Sequence, residues 1–86
     1  MSRQRSMKAI KNSEYVTIGE LERLTDVRYS TLKFYTEEGM LPFEQAEKNL
    51  TRRYKRVESM EQISYIIELR KQKKTIPEIK AILKID

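Results

Sequence analysis

The chain has no cysteine and no histidine, and it holds only two glycines and two prolines in 86 residues. Without the first two residue types there is no disulfide, thiol nucleophile or zinc-finger ligand set, and the most common general base is missing. We therefore expect a protein that is not an enzyme, with no metal, no other cofactor and no small-molecule site. The chain also has no linker-like stretch, so a single domain is expected.

Long apolar runs are absent as well. None approaches the roughly 18 residues that a membrane-spanning helix needs. The basic N-terminus is not followed by the apolar segment of a secretion signal. These absences predict a cytoplasmic protein without a membrane partner.

Positive charge is in excess and unevenly placed. The formal net charge is +5, from 18 basic and 13 acidic residues, which favours a polyanionic partner. Residues 1–13 carry four basic residues and no acid, so they are predicted to form a flexible basic N-terminal arm unless they dock, with a short helix as the alternative. The folded domain is then expected over residues 14–86. Two further basic clusters lie at residues 48–56 and 70–74.

The first half of this domain has the pattern of a helical hairpin. Thr17 is predicted to cap a helix from Ile18 to about Leu24, in an approximate capping box with Glu20. After the interruption at residues 25–27, a second amphipathic run extends from position 28 or 29 to position 38 and meets a C-terminal glycine at position 39. So short a break between helices is typical of a helix-turn-helix.

The second half predicts a wing and two more helices. Residues 43–53 fit a hairpin wing, and a buried helix follows from about Glu58 to the basic cluster at residues 70–74. Thr75 is predicted to cap the last helix, with Pro77 in its first turn. The expected fold class is all-α, a winged helix-turn-helix of about four helices with a small wing. Its predicted core contains Ile18, Leu21, Leu24, Leu32, Leu41, Ile63, Ile66, Ile79 and Ile82.

Six short motifs carry a family resemblance. They are YVTIGEL at 15–21, LTDV at 24–27, STLKFY at 30–35, EGMLP at 38–42, RRY at 52–54 and TIPEIK at 75–80. Each is weak alone, but in this order and at these spacings they resemble the DNA-binding region of MerR-type regulators. The resemblance extends over residues 15–83.

The sequence also departs from the family pattern. Asp26 stands where the turn usually has glycine, and Arg28 stands where a small capping residue is preferred. Phe34 lacks the hydroxyl of a tyrosine that often contacts phosphate, and one residue is inserted between Tyr54 and Met60. These departures concern individual contacts more than the mode of docking.

The resemblance implies a sequence-specific regulator of transcription that binds double-stranded DNA. The helix from about position 28 to position 38 would enter the major groove, and the wing would lie on the flanking backbone or minor groove. A recognition helix reads bases with its N-terminal residues, so Arg28 is the candidate for a bidentate guanine contact. The wing cations would mostly contact phosphates. The predicted DNA-binding residues are Thr17, Arg28, Tyr29, Ser30, Lys33, Tyr35, Arg52, Arg53, Lys55 and Arg56.

Several alternatives stay open at this stage. Tyr29 and Tyr54 are also compatible with ordinary packing, core packing being favoured for Tyr54, and the cluster at residues 70–74 with a charged helix end. An excisionase-like protein that bends DNA at tandem sites would use the same fold. A module that binds an acidic protein is the alternative from another class.

A homodimer on DNA is the further partner expected from the resemblance. Members of the family continue into a long dimerisation helix and an effector domain, whereas this chain ends at Asp86. It is therefore expected to correspond to the DNA-binding part alone. The dimer contact would come from that C-terminal helix or from the basic arm, whose Arg5-Ser6-Met7 is similar to an arm that helps nitrogen-responsive regulators of the same superfamily to dimerise.

Overall fold

The structure is a computed structural model that describes residues 5–48 and 50–84. Within these ranges it contains five α-helices and one small antiparallel sheet, which confirms the all-α winged helix-turn-helix class. In chain order the elements are α1 (Met7–Lys11), β1 (Tyr15–Val16), α2 (Ile18–Thr25), α3 (Tyr29–Glu37), β2 (Tyr54–Lys55), α4 (Arg56–Lys71) and α5 (Ile76–Leu83).

Three acidic residues define the ends of α2 and the start of α3. The predicted capping box begins α2, with the Thr17 hydroxyl accepting from the Glu20 N–H and the Glu20 carboxylate accepting from the Thr17 N–H. Asp26 ends α2 in the left-handed conformation, at φ 59°, which a short polar residue tolerates in place of glycine. Glu22 then accepts from the Tyr29 N–H at 3.1 Å. This contact satisfies a donor at the start of α3 that the side chain of Arg28 leaves uncapped.

A glycine ends α3 and directs the chain back into the core. Gly39 has φ 76°, and its N–H donates to the Thr36 carbonyl at 3.1 Å. The next N–H, of Met40, donates to the Tyr35 carbonyl at 2.9 Å, which completes a Schellman motif. Met40 and Leu41 follow and are both buried.

The sheet closes the wing at its base. β1 and β2 pair with Tyr15 opposite Lys55 and Val16 opposite Tyr54. One further antiparallel bridge joins Glu44 to Arg53 through two backbone hydrogen bonds of 2.7 and 2.8 Å. Residues 44–48 and 50–53 therefore lie in a loop closed by this bridge, and we call residues 44–53 the wing.

Helix α4 begins at Arg56, two residues before the predicted start at Glu58. The Arg56 N–H donates to the Glu14 carbonyl at 2.8 Å, so the β-pairing passes directly into the helix. After α4 the predicted capping box of Thr75 and Glu78 is confirmed, with Pro77 in the first turn of α5.

The core confirms six of the nine predicted residues, namely Leu21, Leu32, Leu41, Ile63, Ile66 and Ile79. Ile18 and Leu24 are only partly buried. The assignment of Ile82 to the core is wrong, because the side chain is 39% exposed. The buried hydrophobic residues that the predicted core does not contain are Ile10, Val16, Tyr35, Met40, Tyr54 and Leu69, and the core packing favoured for Tyr54 is confirmed.

For residues 5–13 the structure has the docked short helix that was the alternative to a flexible arm, while residues 1–4, including Arg3, lie outside the described residues. Ser6 caps α1, and Ile10 is completely buried in the core. Arg5 donates from Nε and Nη2 to the Glu20 carboxylate at 2.7 and 2.8 Å. Arg23 in turn donates to the Arg5 carbonyl at 2.7 Å. The arm is therefore part of the fold.

Replacing Ile10 tests this docking. We expect Ile10→Ala to lower the free energy of unfolding by about 2–5 kcal/mol, because it leaves a cavity beneath α1. Chemical denaturation of the full chain measures the loss, and Ile82→Ala is the matched control at an exposed isoleucine. Equal, small losses for both variants would show that α1 does not dock in solution.

Candidate nucleic-acid interface

Helix α3 presents four of the predicted DNA-binding residues on its outer surface. Arg28, Tyr29, Ser30 and Lys33 are all exposed, and Tyr29 is 48% exposed. The opposite side of the helix carries the buried residues Leu32, Tyr35 and Thr36. The amphipathic pattern thus turns the N-terminal half of α3 outward.

Tyr35 does not belong to this surface. Its side chain is 5% exposed and forms part of the core. Burial raises its pKa, and the positive charge of Arg70 offsets part of that increase. A side chain that contacts bases must be accessible, so the prediction of Tyr35 as a DNA-binding residue is corrected.

Phe34 is exposed on α3, although it is not among the predicted DNA-binding residues. It is 44% exposed, one position from the buried Tyr35. It lines a shallow cleft together with Ser30, Thr31, Tyr35, Arg70 and Ile76. This cleft brings the end of α4 and the start of α5 beside α3, a proximity that sequence spacing alone does not reveal.

The wing is fixed at its base by side chains as well as by its bridge. Tyr15 donates its hydroxyl hydrogen to the Glu44 carboxylate at 2.7 Å, and this bond raises the pKa of Tyr15. Farther out, the Gln45 amide donates to the carbonyls of Lys48 and Leu50. Arg52 is half-buried and Arg53 is exposed. The loop therefore has internal support.

Lys55 and Arg56 lie in different surroundings from the wing arginines. Lys55 is exposed in β2 and forms a surface ion pair with Glu58 at 3.9 Å, a type that contributes little to stability. Arg56 is half-buried in α4, and its Nε donates to the Ser13 carbonyl at 2.7 Å. Arg56 thus joins α4 to the end of the arm and does not belong to the wing.

Thr17 sits where α2 begins and is half-buried. Its hydroxyl already accepts from the Glu20 N–H in the capping box. Together with Arg5, Tyr15 and Arg53 it lines a shallow depression between the arm and the base of the wing. Thr17 and Arg53 are the two predicted DNA-binding residues that line this depression.

Most cations of α3 and the wing have no acidic partner in the described ranges. The ion pairs found there are Arg5 with Glu20, Lys55 with Glu58 and Lys80 with Glu38. None of them involves Arg28, Lys33, Arg52 or Arg53. These four cations are therefore without an ion-pair partner in the part of the chain that the structure describes.

A helical hairpin with an exposed second helix, flanked by a cationic wing, defines the class of winged helix-turn-helix DNA-binding domains. The family model described as MerR HTH family regulatory protein matches residues 16–85. The chain belongs to this family of DNA-binding transcription regulators, which are not enzymes. The fold and this match give no support to the excisionase-like alternative.

Two further comparisons, with curated proteins and with solved structures, find no match. Within the part of the chain that the structure describes, no helix is long and apolar enough to cross a membrane. The same residues contain no group of three or more aspartates or glutamates placed to hold a metal ion.

The Arg5–Glu20 pair predicts a pH dependence of stability. Arg5 and the N–H of Thr17 hold the pKa of Glu20 below its ordinary value. The folded state then binds fewer protons than the unfolded chain between the two pKa values of this carboxyl. We expect this stabilisation to be present above the unfolded-state pKa and to be lost as the pH falls through the lower, folded-state pKa.

Denaturation of the full chain at a series of acidic pH values measures this effect. Glu20→Gln should flatten the dependence of stability on pH in that range, and Arg5→Gln should flatten it in part. The double variant should add nothing to Glu20→Gln. A wild-type slope that both single variants preserve would contradict the assignment.

Proposed function

We propose that the domain binds duplex DNA sequence-specifically, with α3 in the major groove and the wing on the backbone. The observation that carries this proposal is that Arg28, Lys33 and Arg53 are exposed and form no ion pair among the described residues. Phosphate contacts supply affinity, whereas base edges in the major groove supply specificity. In this proposal the wing supplies phosphate contacts, and the N-terminal half of α3 supplies base contacts.

Arg28 is our candidate for direct base readout. It occupies the position before α3, is exposed, and makes no side-chain capping bond. Glu22 satisfies the Tyr29 N–H in its place, so the guanidinium is not needed for the helix. Its planar donors can pair with the O6 and N7 atoms of guanine. Tyr29, Ser30 and Lys33 lie on the same outward surface and complete the proposed set.

The turn between α4 and α5 supports a third contact, with the phosphates beside α3. It carries the basic residues Arg70, Lys71, Lys73 and Lys74. Lys73 adopts φ 65° in a Schellman motif, where glycine is the usual residue. A side chain there costs about 1 kcal/mol or more. Because Arg70 lines a cleft with Ser30 and Phe34, this turn lies beside the proposed recognition helix.

A homodimer on DNA is also part of the proposal, and the arm is one candidate for the contact between its two copies. Ile10 of the arm is buried within its own chain, and Arg5 is bonded to Glu20. Ile10 is therefore not available to a second copy, whereas the Arg5 side chain is 43% exposed. A dimer contact through the arm would have to use its exposed face, and the C-terminal helix remains the other route.

The role of Arg28 predicts a loss confined to the specific site. Selection from a random duplex pool with the full chain should first yield an enriched sequence. We expect Arg28→Ala to weaken binding to that sequence by about 1–3 kcal/mol and to relax preference at one base pair. A scrambled duplex is the control. Equal losses on both duplexes, or the absence of any enriched sequence, would contradict base readout by this residue.

The role of Arg53 predicts a different signature. We expect Arg53→Ala to weaken binding to all sequences and to reduce the slope of log affinity against log salt concentration by about one unit. Arg53→Lys is the matched control, because it retains the charge and should retain most of the slope. Titrations at several salt concentrations measure both. An Arg53→Ala slope equal to that of the wild type would remove this residue from the interface.

A further inference from the structure

Arg52 is oriented by an aromatic ring. Its guanidinium carbon lies 4.7 Å from the centroid of the Phe43 ring, within the range of a cation–π interaction. We propose that Phe43 is a positioning residue that holds Arg52 as a preformed phosphate ligand. The inference rests on the phosphate contact proposed above for the wing, and it assigns to Phe43 a role in that contact.

An aromatic ring differs from a carboxylate as a support for a DNA-binding arginine. A carboxylate would neutralise the cation and compete with phosphate for its N–H donors. A ring attracts the face of the guanidinium through its quadrupole and leaves the donors at the edge free. Arg52 is half-buried and has no ion-pair partner among the described residues, so its charge is available although its position is restricted.

The Phe43 ring is itself held from the core. Its centroid lies 6.1 Å from that of Tyr54, with the rings tilted by 48°. Tyr54 is fully buried, and its hydroxyl is 3.0 Å from the Thr36 hydroxyl on α3. Thr36 donates to the Leu32 carbonyl one turn earlier in α3. A continuous set of contacts thus runs from the wing arginine to the proposed recognition helix.

This arrangement also gives a reason for the exposure of Phe43. The side chain is 38% exposed at the base of the wing, directly after Pro42. One side of the ring packs toward Tyr54, and the guanidinium of Arg52 covers part of the rest. Holding the guanidinium before DNA arrives reduces the rotamer entropy lost on binding.

The test is a double-mutant cycle on DNA affinity. The probe is a random-sequence duplex, because phosphate contacts do not depend on base sequence. We expect Phe43→Leu to weaken binding roughly 2- to 5-fold, the usual range for an exposed cation–π pair. Phe43→Tyr retains an aromatic face and should restore most of the affinity. In an Arg52→Ala background, Phe43→Leu should have almost no further effect.

Arg53 provides the matched control in the same wing. Its side chain is exposed and is not the one over the ring, although it lines a cleft with Phe43. The loss from Phe43→Leu should therefore be clearly larger in an Arg53→Ala background than in an Arg52→Ala background. If Phe43→Leu costs the same with and without Arg52, the positioning role is wrong, while the wing contact itself stands. If neither arginine variant weakens binding, both the wing contact and this role are wrong.

A measurement without DNA separates the geometry from the function. In the free protein, the side-chain NMR signals of Arg52 should show an upfield ring-current shift that Phe43→Tyr keeps and Phe43→Leu abolishes. The same samples give the thermal midpoint, so a general loss of packing is recognised independently. The absence of the shift in wild-type protein would overturn the proposal whatever the affinities are.

Discussion

The hydroxyl pair of Tyr54 and Thr36 is the contact on which the arrangement of the DNA-binding surface depends. It lies in the buried interior, at 3.0 Å, and joins the strand that closes the wing to the last turn of α3. Thr36 also donates to the Leu32 carbonyl, but the Tyr54 hydroxyl has no other hydrogen-bond partner among the described residues. A buried hydroxyl without a partner is costly, so this bond favours the observed relative position of wing and helix. Val16 pairs with Tyr54, so β1 and the start of α2, which follows it, are held next to the same strand. The wing and the proposed recognition helix are thereby held in one relative position.

The arm contributes to this frame because the rest of the core is small. An 86-residue chain buries a limited fraction of its unfolded surface, so one additional buried isoleucine is significant. Ile10 supplies it, and Arg5 connects the arm to the capping box that begins α2. Arg56 fastens the same segment from α4 through the Ser13 carbonyl. Arg5 and Arg56 therefore stabilise the fold, whereas Arg28, Lys33, Arg52 and Arg53 have no ion-pair partner among the described residues.

Local signals in the sequence were sufficient for the helical framework. The capping residues Thr17 and Thr75, the left-handed Asp26 and the terminal Gly39 all act through neighbours within a few positions, so their roles could be predicted. The exposed N-terminal half of α3 followed from the same periodicity. The wing occupies nearly the range expected for it, since the bridge of Glu44 and Arg53 forms its base.

Features that depend on distant parts of the chain could not be predicted in this way. Ile10 is a single apolar residue in a basic segment, and only the core that receives it makes it structural. Tyr35 was predicted to contact DNA but is buried, and Ile82 was predicted to lie in the core but is exposed. The neighbours that decide the burial of both residues belong to other helices. Arg56 was included with the wing by its position in a basic run, although its partner, Ser13, is far away in sequence. The ring of Phe43 beneath Arg52 has no local signature either.

The central claim is that α3 and the wing together form the surface that meets duplex DNA. The most direct measurement is a titration of the ¹⁵N-labelled full chain with the selected duplex, followed by amide NMR shifts. The account predicts the largest changes at positions 28–33 and 44–53, with little change on the exposed face of α4 around Glu61 and Tyr65. Changes concentrated on that face of α4, with α3 unaffected, would contradict it.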